Sequence, residues 1–313
     1  MPRHHEIAPL PENIVWGYLD ARVPPVLEIA SGDTVCLSSW AAADSEDLPP
    51  DRSLIDPRHL RAMSELMRGP CCHMLTGPVH VIGAAPGDVL QIDILEITPV
   101  DEWGYVGTLP LRGTLPEDFD GPPHVIHAMI DRERRTCRLP WGRELPLDPF
   151  FGVVAVAPPP HWGRCSSLQA RAFGGNMDNK ELTAGTTLYL PVFNDGALFS
   201  AGDGHGIQGD GEVCMTALET SLSGTFRLTV RKDLEFTFPF AETATHLISV
   251  GLDDDLDQAA RQAVREMITH ICRRTSLSRH EAYMLCSLVG DLHVTQTVNP
   301  LKGCHMMLAT EHV

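Results

Sequence analysis

Apolar residues recur with a period of two along most of this chain, and with a period near 3.6 only close to its end. That contrast constrains the fold most. A period of two sets one face of a strand against a core, and a period of 3.6 sets one stripe of a helix there. In Val89-Leu90-Gln91-Ile92-Asp93-Ile94-Leu95 the apolar face is Leu90, Ile92 and Ile94. Residues 26–29, 34–38, 79–82, 187–193, 212–219, 226–230 and 235–238 read as further strands. Residues 151–157 are a continuous apolar run that stops at Pro158-Pro159-Pro160, as a strand buried on both faces would. Residues 57–67 suggest one short helix, and residues 101–149 a loop-rich stretch with two short strands. The period changes at Ala260, Val264, Met267, Ile268 and Ile271, which share one helical face. Ser278 and Glu281 then have capping-box spacing, with Gly290 as a stop.

The fold class is therefore mainly β: a sandwich-like body over about residues 1–250, and a helical hairpin over about 251–313. The whole chain, 1–313, reads as one domain. Its 26 glycines and 25 prolines suit short strands joined by turns. One local pattern recurs, in Ser31-Gly32-Asp33-Thr34-Val35, Pro86-Gly87-Asp88-Val89-Leu90 and Ala184-Gly185-Thr186-Thr187-Leu188. Each puts a glycine ahead of a β-branched strand, which raises an internal duplication as one explanation.

The formal net charge is −17, a poor basis for gripping nucleic acid. No run approaches the roughly 20 apolar residues of a membrane span. The N-terminus lacks the apolar core of a secretory signal. Nine cysteines in no disulfide pattern, without a CxxC, fit free thiols in a reducing cytoplasm.

Three segments carry candidate chemistry. The densest is Gly202-Asp203-Gly204-His205-Gly206-Ile207-Gln208-Gly209-Asp210-Gly211-Glu212, read as a glycine-rich loop. Its Asp203, His205, Asp210 and Glu212 have the oxygens and imidazole to hold a divalent cation. The second is Gly174-Gly175-Asn176-Met177-Asp178-Asn179-Lys180. There Asp178 suits a ligand or base, Asn176 suits an oxyanion donor, and an Asx turn is the plainer reading. The third is His73-Met74-Leu75-Thr76-Gly77-Pro78, ahead of a strand. His4-His5 and Cys71-Cys72 carry no assigned role. A GxSxG elbow, a P-loop and HExxH are absent from the sequence, and a dinucleotide pattern begun at Gly202 and Gly204 lacks its third glycine at 207.

The GGNMD and GDGHGIQGDGE blocks within residues 174–219 resemble the acetamidase/formamidase family. Residues 73–99, 150–158 and 278–292 resemble further blocks of that family, in order. The resemblance implies hydrolysis of a short carboxamide, such as formamide or acetamide, to an acid and ammonia. It also implies a β-sandwich-like body, a divalent metal and a homo-oligomer. Carried onto this chain, it points to His73, Asp178, Asp203 and His205 as metal ligands, with zinc first and calcium or manganese as alternatives. Glu212, Asn176, Asp210 and Gln208 become the catalytic set, with Glu212 as the base. Thr76, Gly77 and Gly204 become substrate-binding positions. The chain departs from the family pattern at His80, at Gly206-Ile207 and throughout 101–149. Two other readings stay open: a larger or cyclic amide, with Trp103 and Trp141 lining its pocket, and a non-catalytic, metal-stabilised binding module.

Overall fold

The computed structural model describes residues 2–313. One sheet has nine strands, in the order His4–Ile7, Thr34–Ser39, Leu222–Arg231, Val89–Pro99, Thr187–Pro191, Phe240–Glu242, His246–Asp253, Lys302–Ala309 and Gly290–Gln296. A second runs Ala170–Arg171, Gly174–Asn176, Phe150–Ala155, Phe199–His205, Met74–Ile82, Ile14–Trp16, with Leu27–Ala30 added in parallel to Met74–Ile82. The main core lies between them. The first sheet contributes Val35, Leu37, Ile92, Ile94 and Leu228, and the second Leu75, Val79, Val153 and Ala201. Phe226 meets Phe151 and Phe199 at ring-centroid distances of 5.6 and 5.4 Å. This is the sandwich that the period of two implies.

Three helices flank the sheets: α1 (Pro57–Glu65), α2 (Leu256–Arg274) and α3 (Arg279–Val289). Ala259, Ala263, Met267 and Ile271 of α2 pack in one cluster with Leu247, Met306 and Leu308 of the nine-stranded sheet. The Ser278–Glu281 capping box of α3 forms in both directions. Gly290 ends α3 in extended backbone (φ −98°), so the chain enters a strand directly. The recurring glycine pattern is one turn used three times. Gly32, Gly87 and Gly185 all take φ between 92° and 96°, each ahead of a strand of the nine-stranded sheet.

Several expectations need correction. The glycine-dense run is not a loop around its first half: Phe199–His205 is a strand buried along its whole length. Its glycines allow close approach, since a Cβ on Gly202 would lie 2.5 Å from the Met74 carbonyl oxygen. Gly204, Gly206 and Gly209 do complete a G-x-G-x-x-G spacing, but on an antiparallel strand with no helix after it, which is not a dinucleotide site. Residues 212–219 are turns, not a strand, because Glu212 (φ 46°) and Met215 (φ 106°) break the extended backbone. Residues 235–238 are irregular too. Phe236 packs against Tyr189, Phe240 and His270, and pairing resumes at Phe240–Glu242.

Residues 101–149 form a four-stranded antiparallel sheet: Glu144–Pro146, Thr136–Arg138, His124–Asp131 and Trp103–Thr108. Neither tryptophan lines the main cavity. Trp103 is buried with Ala41, Leu48, Ile55 and Tyr105, and Trp141 is exposed.

Candidate active site

A cavity of about 610 Å³ has Asp178, Asp203, His205, Glu212 and Glu219 in its wall. All five side chains are buried. Asp203 and His205 lie on the central strand Phe199–His205, Asp178 just after Gly174–Asn176, and Glu212 and Glu219 on the irregular segment beyond. Asp178, Asp203 and Glu212 have φ values of 47°, 63° and 46°, a left-handed backbone rarely found in residues other than glycine. Such conformations cluster where a side chain must be aimed at a site.

Gly152 gives these groups room. A Cβ there would lie 2.5 Å from Asp178 Oδ1, 2.5 Å from Asp203 Oδ2 and 2.9 Å from His205 Cε1. The imidazole of His205 is fixed from behind. Gln208 Nε2 donates to the Asp178 carbonyl at 2.7 Å, which turns Gln208 Oε1 to His205 Nδ1 at 2.9 Å. An amide oxygen only accepts, so Nδ1 carries a hydrogen. His205 Nε2 then faces Glu219 Oε1 at 3.3 Å, Asp203 Oδ2 at 3.5 Å and Asp178 Oδ1 at 3.9 Å. A carbonyl oxygen orienting an imidazole whose other nitrogen is free is the usual support of a metal-ligating histidine.

Buried negative groups are in excess here. Among the described residues no Lys or Arg pairs with these four carboxylates; only histidines do. Asp178 Oδ1, Glu212 Oε2 and Glu219 Oε2 are buried without a hydrogen-bond partner. Burial pushes Asp178 up to about 6 and Glu219 up to about 8, with neighbouring carboxylates adding to both. Glu212 is raised by burial and by Asp178. Against burial, His73 and His205 hold Asp203 down to about 2. Burial lowers His205, but Glu219 and Asp203 outweigh it and raise its proton affinity. The cluster thus holds protons tightly, and a divalent cation would take their place. Asp178, His205 and Glu212 bring one ligand atom each within 4.8 Å of one another, and so do Asp203, His205 and Glu219. The residues present fit a hard or borderline divalent ion.

The residues singled out in the sequence divide into two sets. Asp178, Asp203, His205, Glu212, Asn176 and His73 share the cavity wall. Asn176 Nδ2 donates to Asp178 Oδ2 at 2.9 Å, so it positions that carboxylate. Gln208 positions His205 and Asp178 from outside the wall. His73 Nε2 is 3.8 Å from Asp203 Oδ2, and the imidazole also groups with Cys71 and Cys72. The other four stand elsewhere. Asp210 pairs with His293 at 3.0 Å and Lys180 at 3.6 Å, away from the cavity. Thr76 is buried and donates to the Ser38 carbonyl at 2.6 Å. A Cβ on Gly77 would meet the Phe199 carbonyl oxygen at 2.7 Å, and one on Gly204 the Thr220 carbonyl oxygen, rather than open space.

Four residues escaped the sequence reading. Glu219 closes the second ligand triad, and Gly152 provides the floor. Asn299, from the loop before Lys302–Ala309, donates to Asp178 Oδ2. Tyr105 lines the cavity from the four-stranded sheet. Glu219 and Gly152 both lie inside family-like runs but have no spacing motif of their own, and no local signal marks Asn299 or Tyr105.

The profile of the Acetamidase/Formamidase family matches residues 20–162 and 163–311. An acetamidase from Mycolicibacterium smegmatis is 31% identical over 202 residues, which is 45% of this chain and 49% of that protein. A formamidase from Methylophilus methylotrophus is 32% identical over 192 residues, 45% of this chain and 47% of that protein. The chain spans about half the length of the curated relatives it matches. The crystal structure of an acetamidase from Bacillus halodurans superposes with a TM-score of 0.84 at 33% identity, over 99% of this chain and 98% of that one.

Proposed function

This chain belongs to the acetamidase/formamidase family, and from that premise we propose that it hydrolyses a carboxamide to a carboxylic acid and ammonia with the help of a divalent cation. The observation that carries the reading is a set of four buried carboxylates, three of them within 3.9 Å of His205 Nε2, which no Lys or Arg among the described residues pairs with. Asp178, Asp203, His205 and Glu219 would hold the ion; zinc, manganese and calcium are the candidates. Such an ion lowers the pKa of water from 15.7 to about 7 and polarises a carbonyl. Glu212, whose burial raises its proton affinity, takes the proton of the attacking water on a carboxylate oxygen and passes it to the departing nitrogen. Asn176 and Asn299 keep Asp178 oriented, and the second hydrogen of Asn176 Nδ2 is left for the developing oxyanion. Leu109, Val125, Leu168 and Met215 give the cavity an apolar share for the acyl part of a substrate. A homo-oligomer in a reducing cytoplasm, with all nine thiols free, completes the reading.

The cavity volume favours a second reading on the same scaffold, an amide larger than formamide. Formamide has three heavy atoms, and a water occupies about 30 Å³ in the liquid, against the 610 Å³ observed. Ammonia release should be measured on a panel from formamide to long-chain and cyclic amides, before and after chelation. Release that stops on chelation and returns with zinc or manganese is expected. No release from any amide by the metal-loaded protein would overturn the hydrolase, and chelator-insensitive release would overturn the cation.

A further inference from the structure

Two thiols stand on the wall of the same cavity, and the amide chemistry above uses neither. We propose that Cys71, Cys72 and His73 form a second cation site, for a soft divalent ion such as zinc or cadmium. Cys71 Sγ and Cys72 Sγ lie 4.0 Å apart. Tetrahedral zinc with Zn–S bonds of about 2.3 Å holds its sulfurs about 3.8 Å apart, whereas a disulfide draws them to about 2.0 Å. The pair therefore already has the spacing of two ligands on one ion, and is far too wide for a bond between the sulfurs. His73 brings a ligand atom within 4.8 Å of both. It is only 6% exposed, and its Nδ1 is buried with no hydrogen-bond partner. An unpartnered imidazole nitrogen beside two thiols is a donor set that lacks its acceptor.

The two sites differ in softness. Oxygen ligands dominate around His205 and suit manganese, calcium or zinc, whereas two sulfurs and a nitrogen select zinc or cadmium. Three protein ligands leave a fourth position for a small donor. His73 Nε2, 3.8 Å from Asp203 Oδ2, places the thiol site against the carboxylate cluster.

The test is a cadmium titration of the metal-free, reduced full chain, read by the thiolate-to-cadmium charge-transfer band in the ultraviolet. Oxygen ligands give no such band, so the result is independent of whether the chain hydrolyses amides. The band should grow to one equivalent per chain, fall by about half in Cys71→Ser or Cys72→Ser, and vanish in the double variant. His73→Gln should weaken cadmium binding by more than the ~10-fold that marks the low end of outer-sphere changes. No band at saturating cadmium, or an undiminished band from the other seven cysteines in the double variant, would overturn the proposal. Alkylation of the unmodified chain, mapped by mass spectrometry, gives a check that needs no variant. Cadmium should protect Cys71 and Cys72, and equal labelling with and without it would count against the site.

Discussion

Gly152→Ala adds one methyl group at the floor of the carboxylate cluster. The new Cβ would lie 2.5 Å from both Asp178 Oδ1 and Asp203 Oδ2, where ordinary contact begins at 3.4 Å. Each carboxylate must therefore retreat by about 0.9 Å, since a contact that short is strongly repulsive. The backbone itself tolerates alanine, because Gly152 is not among the positive-φ glycines. Displacing catalytic groups by about 1 Å costs on the order of 100-fold in rate, or about 2.7 kcal/mol of barrier. Overpacking one methyl costs about 1–3 kcal/mol of stability, a loss visible as a lower Tm but too small to unfold most domains. We expect kcat/KM for ammonia release to fall about 100-fold, with weaker cation binding in a chelator competition. Gly209→Ala is the control. It neighbours the same segment, but nothing lies within 4 Å of its Cβ, so its kcat/KM should stay within about twofold, as for surface changes generally. A Gly152→Ala protein that keeps more than half the parent kcat/KM and the parent cation affinity would refute the placement of the reaction at this cluster.

Glu212→Gln should lower kcat by about 10²–10⁴ while the cation stays bound, as read by metal analysis of the purified variant; full turnover would remove Glu212 as the base. Asn299→Ala takes one of two amide donors from Asp178, and should weaken cation affinity by about 10–100-fold in a competition assay. The metal-free protein should also lose stability as pH rises. Asp178 moves from 3.8 up to about 6 and Glu219 from 4.5 up to about 8, so both bind protons more tightly folded than unfolded. Their contribution is complete below their ordinary values and is lost as pH rises through those two windows. Asp203 works the other way, and only below its ordinary 3.8. Burial holds His59, His270 and His305 down to about 4, 3 and 3, which opposes this loss below about pH 6.5. Tm should therefore drop between about pH 6.5 and pH 8, and a saturating divalent cation should shrink the drop; a flat or rising metal-free curve across that window would contradict the cluster's electrostatics.

Local order was legible wherever its cause was local. Leu90, Ile92 and Ile94 announced an inward face because side chains alternate on a strand, and they are buried as expected. Ser278 and Glu281 announced the start of α3 because a capping box is a contact between residues three apart. Residues 212–219 misled because a short apolar run does not report the backbone dihedrals of Glu212 and Met215. The glycine-rich run misled in the other direction. Gly202 answers to the neighbouring strand Met74–Ile82 and Gly204 to Thr220 and Leu222, not to loop flexibility.

The sequence by itself determined the stock of groups: a β-rich body, a helical end, and a run that delivers Asp203, His205 and Glu212 within ten residues. It could not say which of its acids would meet. Asp210 is two residues from Glu212, yet it turns outward to His293, whereas Glu219 turns inward to His205. Only the tertiary structure decided that. Asn299 reaches Asp178 across 121 residues of chain, and pairing of Phe150 with His205 sets Gly152 under the cluster. Such meetings are fixed by sheet register and by close backbone approach, which depend on contacts between distant segments and leave no periodic trace in either segment.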